Sequence, residues 1–273
     1  MEVIDFHTHL VTAEDLNSTL IEFYKTTNPE MLTRIDNFKD PRVTVEFLKK
    51  QGVKYAVVLA EYAPATTYCV STERVIEYCR GQDMLIPFAN INPNIHRELA
   101  KKLEEYVTEL GVKGLKLLPS YQFFYLNEAR IYPIYAKAEE LKIPVLIHIG
   151  SSTFKGTRMK YCDPIQLDDI AVDFPNLKII MAHSGRGFWY DACFFLSRFH
   201  KNVYMEISGL PPKNLINYFP ELDKNGEKVV FGSDWPAIPS SIRENVEVIK
   251  SLPLSTKTIE GILYKNAERI LFG

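Results

Sequence analysis

The chain has 273 residues, a formal net charge of -2, and a composition 46% hydrophobic and 24% charged. That is ordinary globular composition, long enough for one large core, and it excludes a strongly basic polyanion-binding surface or a polybasic membrane patch. No run reaches the roughly 18 apolar residues that span a bilayer. The opening MEVIDFHTHL has no basic segment ahead of an apolar run, so the expectation is a cytoplasmic protein with neither nucleic acid nor membrane as partner.

Short apolar runs recur along the chain at Val3–His9, Lys54–Ala60, Leu85–Asn92, Gly114–Leu118, Val145–Ile149, Lys178–Ala182, Val203–Ile207 and Lys228–Gly232. Most are continuous Val, Ile and Leu without polar alternation, the pattern of parallel strands buried on both faces. Amphipathic segments lie between them: Arg42–Gln51, Thr72–Arg80, Arg97–Leu110, Glu128–Leu141, Pro164–Phe174, Phe188–Phe199 and Ile242–Leu252. Asn94, Asn127 and Asp163-Pro164 read as helix starts, and Gly52 and Gly111 as stops. Eight strands alternating with helices predict one domain, residues 1–273, folded as a distorted (β/α)8 TIM barrel. An open doubly wound sheet is the alternative, weakened by the absence of a GxGxxG turn after the first strand. Two long connections, from about Leu10 to Pro41 and Gly150–Asp163, follow predicted strands and fall on the face where barrels build their sites. The first includes a helical stretch near Asp15–Tyr24.

Of six histidines, four end predicted strands: His7 and His9 on the first, His148 on the fifth, His183 on the sixth. His96 and His200 fall in helical sequence and read as surface residues. Strand C-termini of a barrel converge on one face, and residues i and i+2 of a strand point the same way. His7 and His9 therefore enter the barrel mouth together, joined by Asp234 from VVFGSDWP after the eighth strand. Imidazoles and a carboxylate at such positions are ligands for zinc and related divalent ions. Lys116, in GLKLLP, ends the fourth strand. Cys69, Cys79, Cys162 and Cys193 show no CxxC spacing and read as free thiols.

The segments IDFHTHL, GVKGLKLLP, PVLIHIG, MAHSG, VVFGSDWP and NAERILFG, in this order, resemble the amidohydrolase superfamily, closest to the branch called amidohydrolase-related. The resemblance implies one divalent metal, zinc ahead of manganese, iron or cobalt, held by His7, His9, His148 and Asp234. It makes Asp234 and His183 catalytic. It leaves open a second ion bridged by a carboxylated Lys116 and bound by His148 and His183, and it implies a homodimer. The reaction it points to is hydrolysis of an amide, lactone or ester bond in a small, carboxylate-bearing molecule by a metal-activated water. Non-oxidative decarboxylation in the same branch, a TatD-like nuclease or phosphoesterase, and a non-catalytic binding barrel are the rival readings. Lys116, Arg158, Arg186, Gln122 and Trp235 are the candidate substrate contacts, with Tyr62 and Lys155 near the same strand ends. The aromatic stretch Phe188–Phe195 reads as core or as a subunit contact.

Overall fold

The computed structural model describes residues 1–237 and 241–273. All eight predicted strands form: Val3–His9 (β1), Val53–Leu59 (β2), Leu85–Asn90 (β3), Gly114–Leu117 (β4), Val145–Gly150 (β5), Ile179–Arg186 (β6), Val203–Glu206 (β7) and Val229–Val230 (β8). They pair in chain order and in parallel, as continuous apolar runs demand when neither face meets water. The ring closes through the residues after β8 rather than through a regular ladder. Phe6 N donates to Phe231 O at 2.9 Å, Asp234 N to His7 O at 2.8 Å and His9 N to Trp235 O at 2.8 Å. Closure of the barrel thus sets the backbone of Asp234 directly against that of His7.

Helices follow most strands: Ser18–Thr27 (α1), Pro29–Arg34 (α2), Pro41–Lys50 (α3), Thr72–Cys79 (α4), Leu99–Thr108 (α5), Tyr132–Glu140 (α6), Gln166–Asp173 (α7), Tyr190–Phe199 (α8), Ile242–Ser251 (α9) and Asn266–Phe272 (α10). Three predicted starts are displaced. α5 begins after Glu98, whose backbone is left-handed, and not at Asn94. α6 begins at Tyr132-Pro133, because Pro133 favours the first turn over Asn127. Asp163 accepts from Ile165 N at 3.0 Å in a local turn, and α7 starts at Gln166. His200 is buried and bonded to Asp168 at 2.7 Å, which corrects its reading as a surface residue, while His96 is half-buried.

Two apolar layers hold the barrel. One draws alternate strand positions inward: Ile4, Phe6, Val57, Leu59, Ile86, Phe88, Leu146, Ile180, Ala182 and Val230, closed off by Ala267 and Ile270 of α10. The other joins the outer strand faces to the helices. At strand ends the alternation slips. β1 and β2 lose register between Asp5 and Thr8, so Ile4 and Phe6 join the inner cluster while His7 and His9 face the mouth. A second slip separates β5 and β6 after His148, where His183, Ser184 and Gly185 have φ of 65°, 44° and 78°. Bulges of this kind re-aim side chains beside sites.

Candidate metal centre

Nε2 of His7 and Nε2 of His9 lie 3.2 Å apart, and Asp234 Oδ1 lies 3.7 Å from the first and 3.2 Å from the second. The other nitrogen of each ring is turned to a buried carboxylate. His7 Nδ1 meets Glu206 Oε2 at 3.0 Å, and His9 Nδ1 faces Glu61 Oε2 at 3.5 Å. A ring whose Nδ1 donates to a carboxylate presents a lone pair at Nε2. His7 thus presents a lone pair at Nε2 beside His9 Nε2 and the half-buried Asp234 carboxylate, and a cation placed among the three satisfies all of them at once. Burial, then the charge of Lys116, pushes His7 and His148 well below the ordinary imidazole range, which keeps them neutral and able to ligate. Burial alone would raise the Asp234 carboxyl, but a hydrogen bond from His9 and the charges of His7, His9 and Arg186 hold it at about 2.

His148 is fully buried, and its Nε2 has no protein partner among the described residues. Its ring meets His183 edge-on at 4.6 Å and lies tilted against Tyr121 at 4.7 Å. Among the described residues, two sets of ligand atoms lie within 4.8 Å of one another, His7–His9–Asp234 and His7–His183–Glu206, and His148 lines the same cavity without joining either set. The donor set and the orphaned His148 nitrogen fit a divalent cation. His183 Nδ1 donates to Ser208 O at 2.9 Å, leaving its Nε2 free as an acceptor, and burial followed by the Arg186 charge keeps the ring neutral.

These groups open into a cavity of about 260 Å3. Its walls are Phe23, Tyr68, Leu118, Tyr121 and Phe154, and both long connections contribute, through Phe23, Thr27 and Asn28 from the first and Thr153 and Phe154 from the second. Lys116 and Arg186 supply two cations. Lys116 Nζ is buried 3.5 Å from His7 Nε2, and burial drops its ammonium to about 8 against the opposing pull of Glu206, Glu61 and Asp234. Arg186 is anchored by Ser151 O, which accepts from its Nη2 at 2.9 Å.

Three of the expected substrate contacts lie elsewhere. Arg158 is exposed, with its guanidinium 5.1 Å over the Phe123 ring. Gln122 is buried and spends its amide on Tyr62 O and Asn90 Oδ1, tying strand ends together. Trp235 packs between Phe38 and Phe47 beside a neighbouring chamber that shares Thr27 and Asn28 with the first. The structure adds residues that the motif reading passed over. Glu206 accepts from Ser208 N at 2.6 Å and Ser208 Oγ at 2.8 Å as well as bonding His7. Its signal was available, since VYMEI places one carboxylate at the end of an apolar strand. Glu61, directly after VVLA, had the same signature.

The sequence model of the amidohydrolase family matches residues 4–273. An uncharacterized TIM-barrel protein from Bordetella bronchiseptica superposes with a TM-score of 0.82 at 20% identity, covering 99% of this chain and 98% of that one. The 5-carboxyvanillate decarboxylase of Novosphingobium aromaticivorans, complexed with manganese and 4-hydroxy-3-methoxy-5-nitrobenzoic acid, gives 0.71 at 15% identity over 99% and 96%. The 2,6-dihydroxybenzoate decarboxylase from Rhizobium gives 0.71 at 15% over 99% and 98%. At these identities the likeness is one of fold. Among the described residues no helix is long and apolar enough to cross a membrane.

Proposed function

Given that the chain belongs to the amidohydrolase family, we propose that it is a metal-dependent hydrolase of a small, flat, carboxylate-bearing molecule, with one divalent cation held by His7, His9, His148 and Asp234. The observation that carries this reading is the convergence of two imidazole Nε2 atoms and Asp234 Oδ1 within 3.7 Å, in a cavity that also holds Lys116 and Arg186. Zinc is the ion expected for this nitrogen-rich set, though the same donors accept manganese, the ion in the Novosphingobium enzyme. When bound, the ion would supply Lewis acidity toward a substrate oxygen and toward water.

The chain's own groups divide the remaining work. Lys116 and Arg186 bind a carboxylate. The rings of Tyr68, Tyr121 and Phe154 orient a planar body and exclude water. His183, neutral and with a free Nε2, accepts a proton from the attacking water, while Asp234 stays ionised. Ser208 O holds His183 in that tautomer.

Decarboxylation of an aromatic acid is the second reading, supported by the aromatic walls and by the two decarboxylases of the same fold. It ranks lower on electrostatics. Two cations beside a carboxylate stabilise it in the ground state and oppose its departure as CO2, whereas they suit a carboxylate that is held while another bond breaks.

The test is a panel of carboxylate-bearing lactones, cyclic amides and esters, together with aromatic acids, offered to zinc-loaded and manganese-loaded protein. Proton release and CO2 release are followed separately. Metal-dependent hydrolysis that disappears in His183→Asn supports the first reading. CO2 release without hydrolysis transfers the site to the second. Metal-loaded protein inert to the whole panel counts against both.

A further inference from the structure

A second chamber, of about 500 Å3, lies against the metal cavity. Phe38, Phe47 and Trp235 form one wall, with Phe47 and Trp235 stacked at 5.2 Å and Phe38 edge-on to Trp235 at 4.7 Å. Met31, Ile35 and Ile242, all buried, add apolar lining. Among the described residues, its charged lining is confined to Glu30 and Arg34, which are exposed and lie 3.5 Å from each other, so the pair neutralises itself at the rim. Gln51 Oε1 is already taken by Ser241 Oγ at 3.2 Å and Arg243 N at 3.1 Å. The chamber therefore suits an uncharged, apolar body. Ligand pockets commonly enclose roughly 300–1,000 Å3. The second chamber falls within that range, and the metal cavity, at about 260 Å3, falls short of it on its own.

Thr27 and Asn28 line both spaces, at the point where α1 ends and α2 begins. Asn28 is held by both helices. Its N donates to Tyr24 O at 2.9 Å, closing α1, and its Oδ1 accepts from Met31 N at 3.3 Å, capping α2. With Oδ1 spent, Nδ2 remains. It has no hydrogen-bond partner among the described residues, although Asn28 is only 9% exposed. A buried donor left open on the divide between two cavities matches an acceptor oxygen on a ligand that crosses it. The aromatic wall is tied to the metal site as well. Trp235 directly follows Asp234, and its O accepts from His9 N at 2.8 Å. A body resting on the Trp235 ring is thus held in a fixed relation to Asp234 and His9.

We propose that the second chamber is a substrate subsite, and that the substrate is a carboxylate with a long, uncharged arm ending in an aromatic or branched apolar group. The inference rests on the reading of the metal cavity given above. The carboxylate end lies with Lys116 and Arg186, and the arm crosses the divide at Thr27 and Asn28. Asn28 Nδ2 donates to a carbonyl or ether oxygen in the arm, and the apolar end lies against Phe47 and Trp235. Trp235 then meets the substrate in the second chamber rather than in the metal cavity.

The test uses the full chain carrying Trp189→Phe, which leaves Trp235 as its only tryptophan. The probes are the 4-nitrobenzamides of glycine, 4-aminobutyrate and 6-aminohexanoate. Each has a carboxylate, a carbonyl in the link and a ring that quenches tryptophan fluorescence, and the matching acetamides are the controls without a ring. Binding is read from quenching and calorimetry, and hydrolysis separately from release of 4-nitrobenzoate. At least one of the two longer probes should quench Trp235 and bind roughly tenfold or more tighter than its acetamide, the worth of a buried ring. Thr27→Phe, at an exposed position on the divide, should abolish both effects, while Thr27→Ser keeps them. Absence of quenching with every probe, or quenching and ring gain that persist in Thr27→Phe, overturns the subsite even if small carboxylate lactones are hydrolysed. Quenching and ring gain that Thr27→Phe removes, in a protein that hydrolyses no lactone, amide or ester, support the subsite and count against the hydrolase reading instead.

Discussion

Glu206 Oε2 lies 3.0 Å from His7 Nδ1, on the edge of the ring opposite the nitrogen that faces His9 and Asp234. One buried carboxylate therefore decides which nitrogen of His7 is free to bind a cation. It does so while accepting Ser208 N and Ser208 Oγ, and Ser208 Oγ lies 3.0 Å from both His7 Nδ1 and His183 Nδ1. The proposed ligand and the proposed base thus share one support.

Glu206→Ala should cost roughly 10- to 100-fold in metal affinity, the usual penalty for removing such a support. Glu206→Gln keeps an acceptor for His7 Nδ1–H and should lose much less. Competition against a chromophoric chelator reads both directly. An Ala variant that is folded and binds metal as tightly as wild type would remove Glu206 from the site's design.

Arg186 and Arg158 make a matched pair for the carboxylate contact. Arg186 lines the cavity and Arg158 does not. Losing a charge-assisted hydrogen bond costs about 1.5–3 kcal/mol, or roughly a 10- to 100-fold rise in KM. Arg186→Met should show that rise for a carboxylate substrate, while Arg158→Met stays near wild type. Equal effects at the two positions would contradict the placement of the substrate.

The contrast between these two arginines also shows what the sequence could carry. Period-2 logic and strand ends suffice for His7, His9, His148, His183 and Asp234, because a barrel delivers every strand end to one mouth and the motif positions are strand ends. Arg158, Gln122 and Trp235 lie in loops or just past strands, where direction depends on local turns. Arg158 leans on Phe123, Gln122 turns to the backbone of Tyr62, and Trp235 swings into the Phe38–Phe47 cluster. The slips in β1 and β6 were equally illegible, since a bulge changes which way a side chain points without altering the apolar pattern. Glu206 and Glu61 were readable in principle. Each is a lone carboxylate at or just after the end of an apolar run, the same kind of position that Asp234 holds.

Removing the metal should lower thermal stability. A ligand present at 100 times its Kd stabilises the native state by about 2.7 kcal/mol. Without it, His7 Nε2, His9 Nε2 and Asp234 Oδ1 lose the cation that would hold them together. Calorimetry before and after chelation should show a lower Tm that recovers on reloading. Asp234→Asn should show little response to added metal. A wild-type Tm unmoved by chelation, with the metal gone by elemental analysis, would mean that the cluster does not need a cation.

Thiol chemistry should separate the four cysteines. Cys69 is exposed, while Cys79, Cys162 and Cys193 are buried. Burial pushes the Cys79 thiol up to about 12 and Cys162 to about 11, which leaves almost no thiolate near neutrality. One fast thiol per native chain, and four after denaturation, is the expected count in a titration with a chromogenic disulfide. More than one fast thiol in the folded protein would mean that a buried segment opens.

Gly232 gives the sharpest probe of how the fold serves the site. A Cβ there would sit 2.1 Å from Glu206 Oε1 and 2.7 Å from His7 Cβ, so a single methyl group must push the carboxylate off its ring. Gly114 provides the control, because a Cβ at that position would meet the Phe88 ring at 2.3 Å in the inner apolar layer. Overpacking costs about 1–3 kcal/mol, so Gly232→Ala and Gly114→Ala should both lower Tm. Only Gly232→Ala should also weaken metal binding, approaching Glu206→Ala, since the displaced group is the one that holds His7. Equal metal affinity in the two variants would mean that contact with Glu206 does not govern the ligand, and the role given to the Glu206–His7 bond would fall with it.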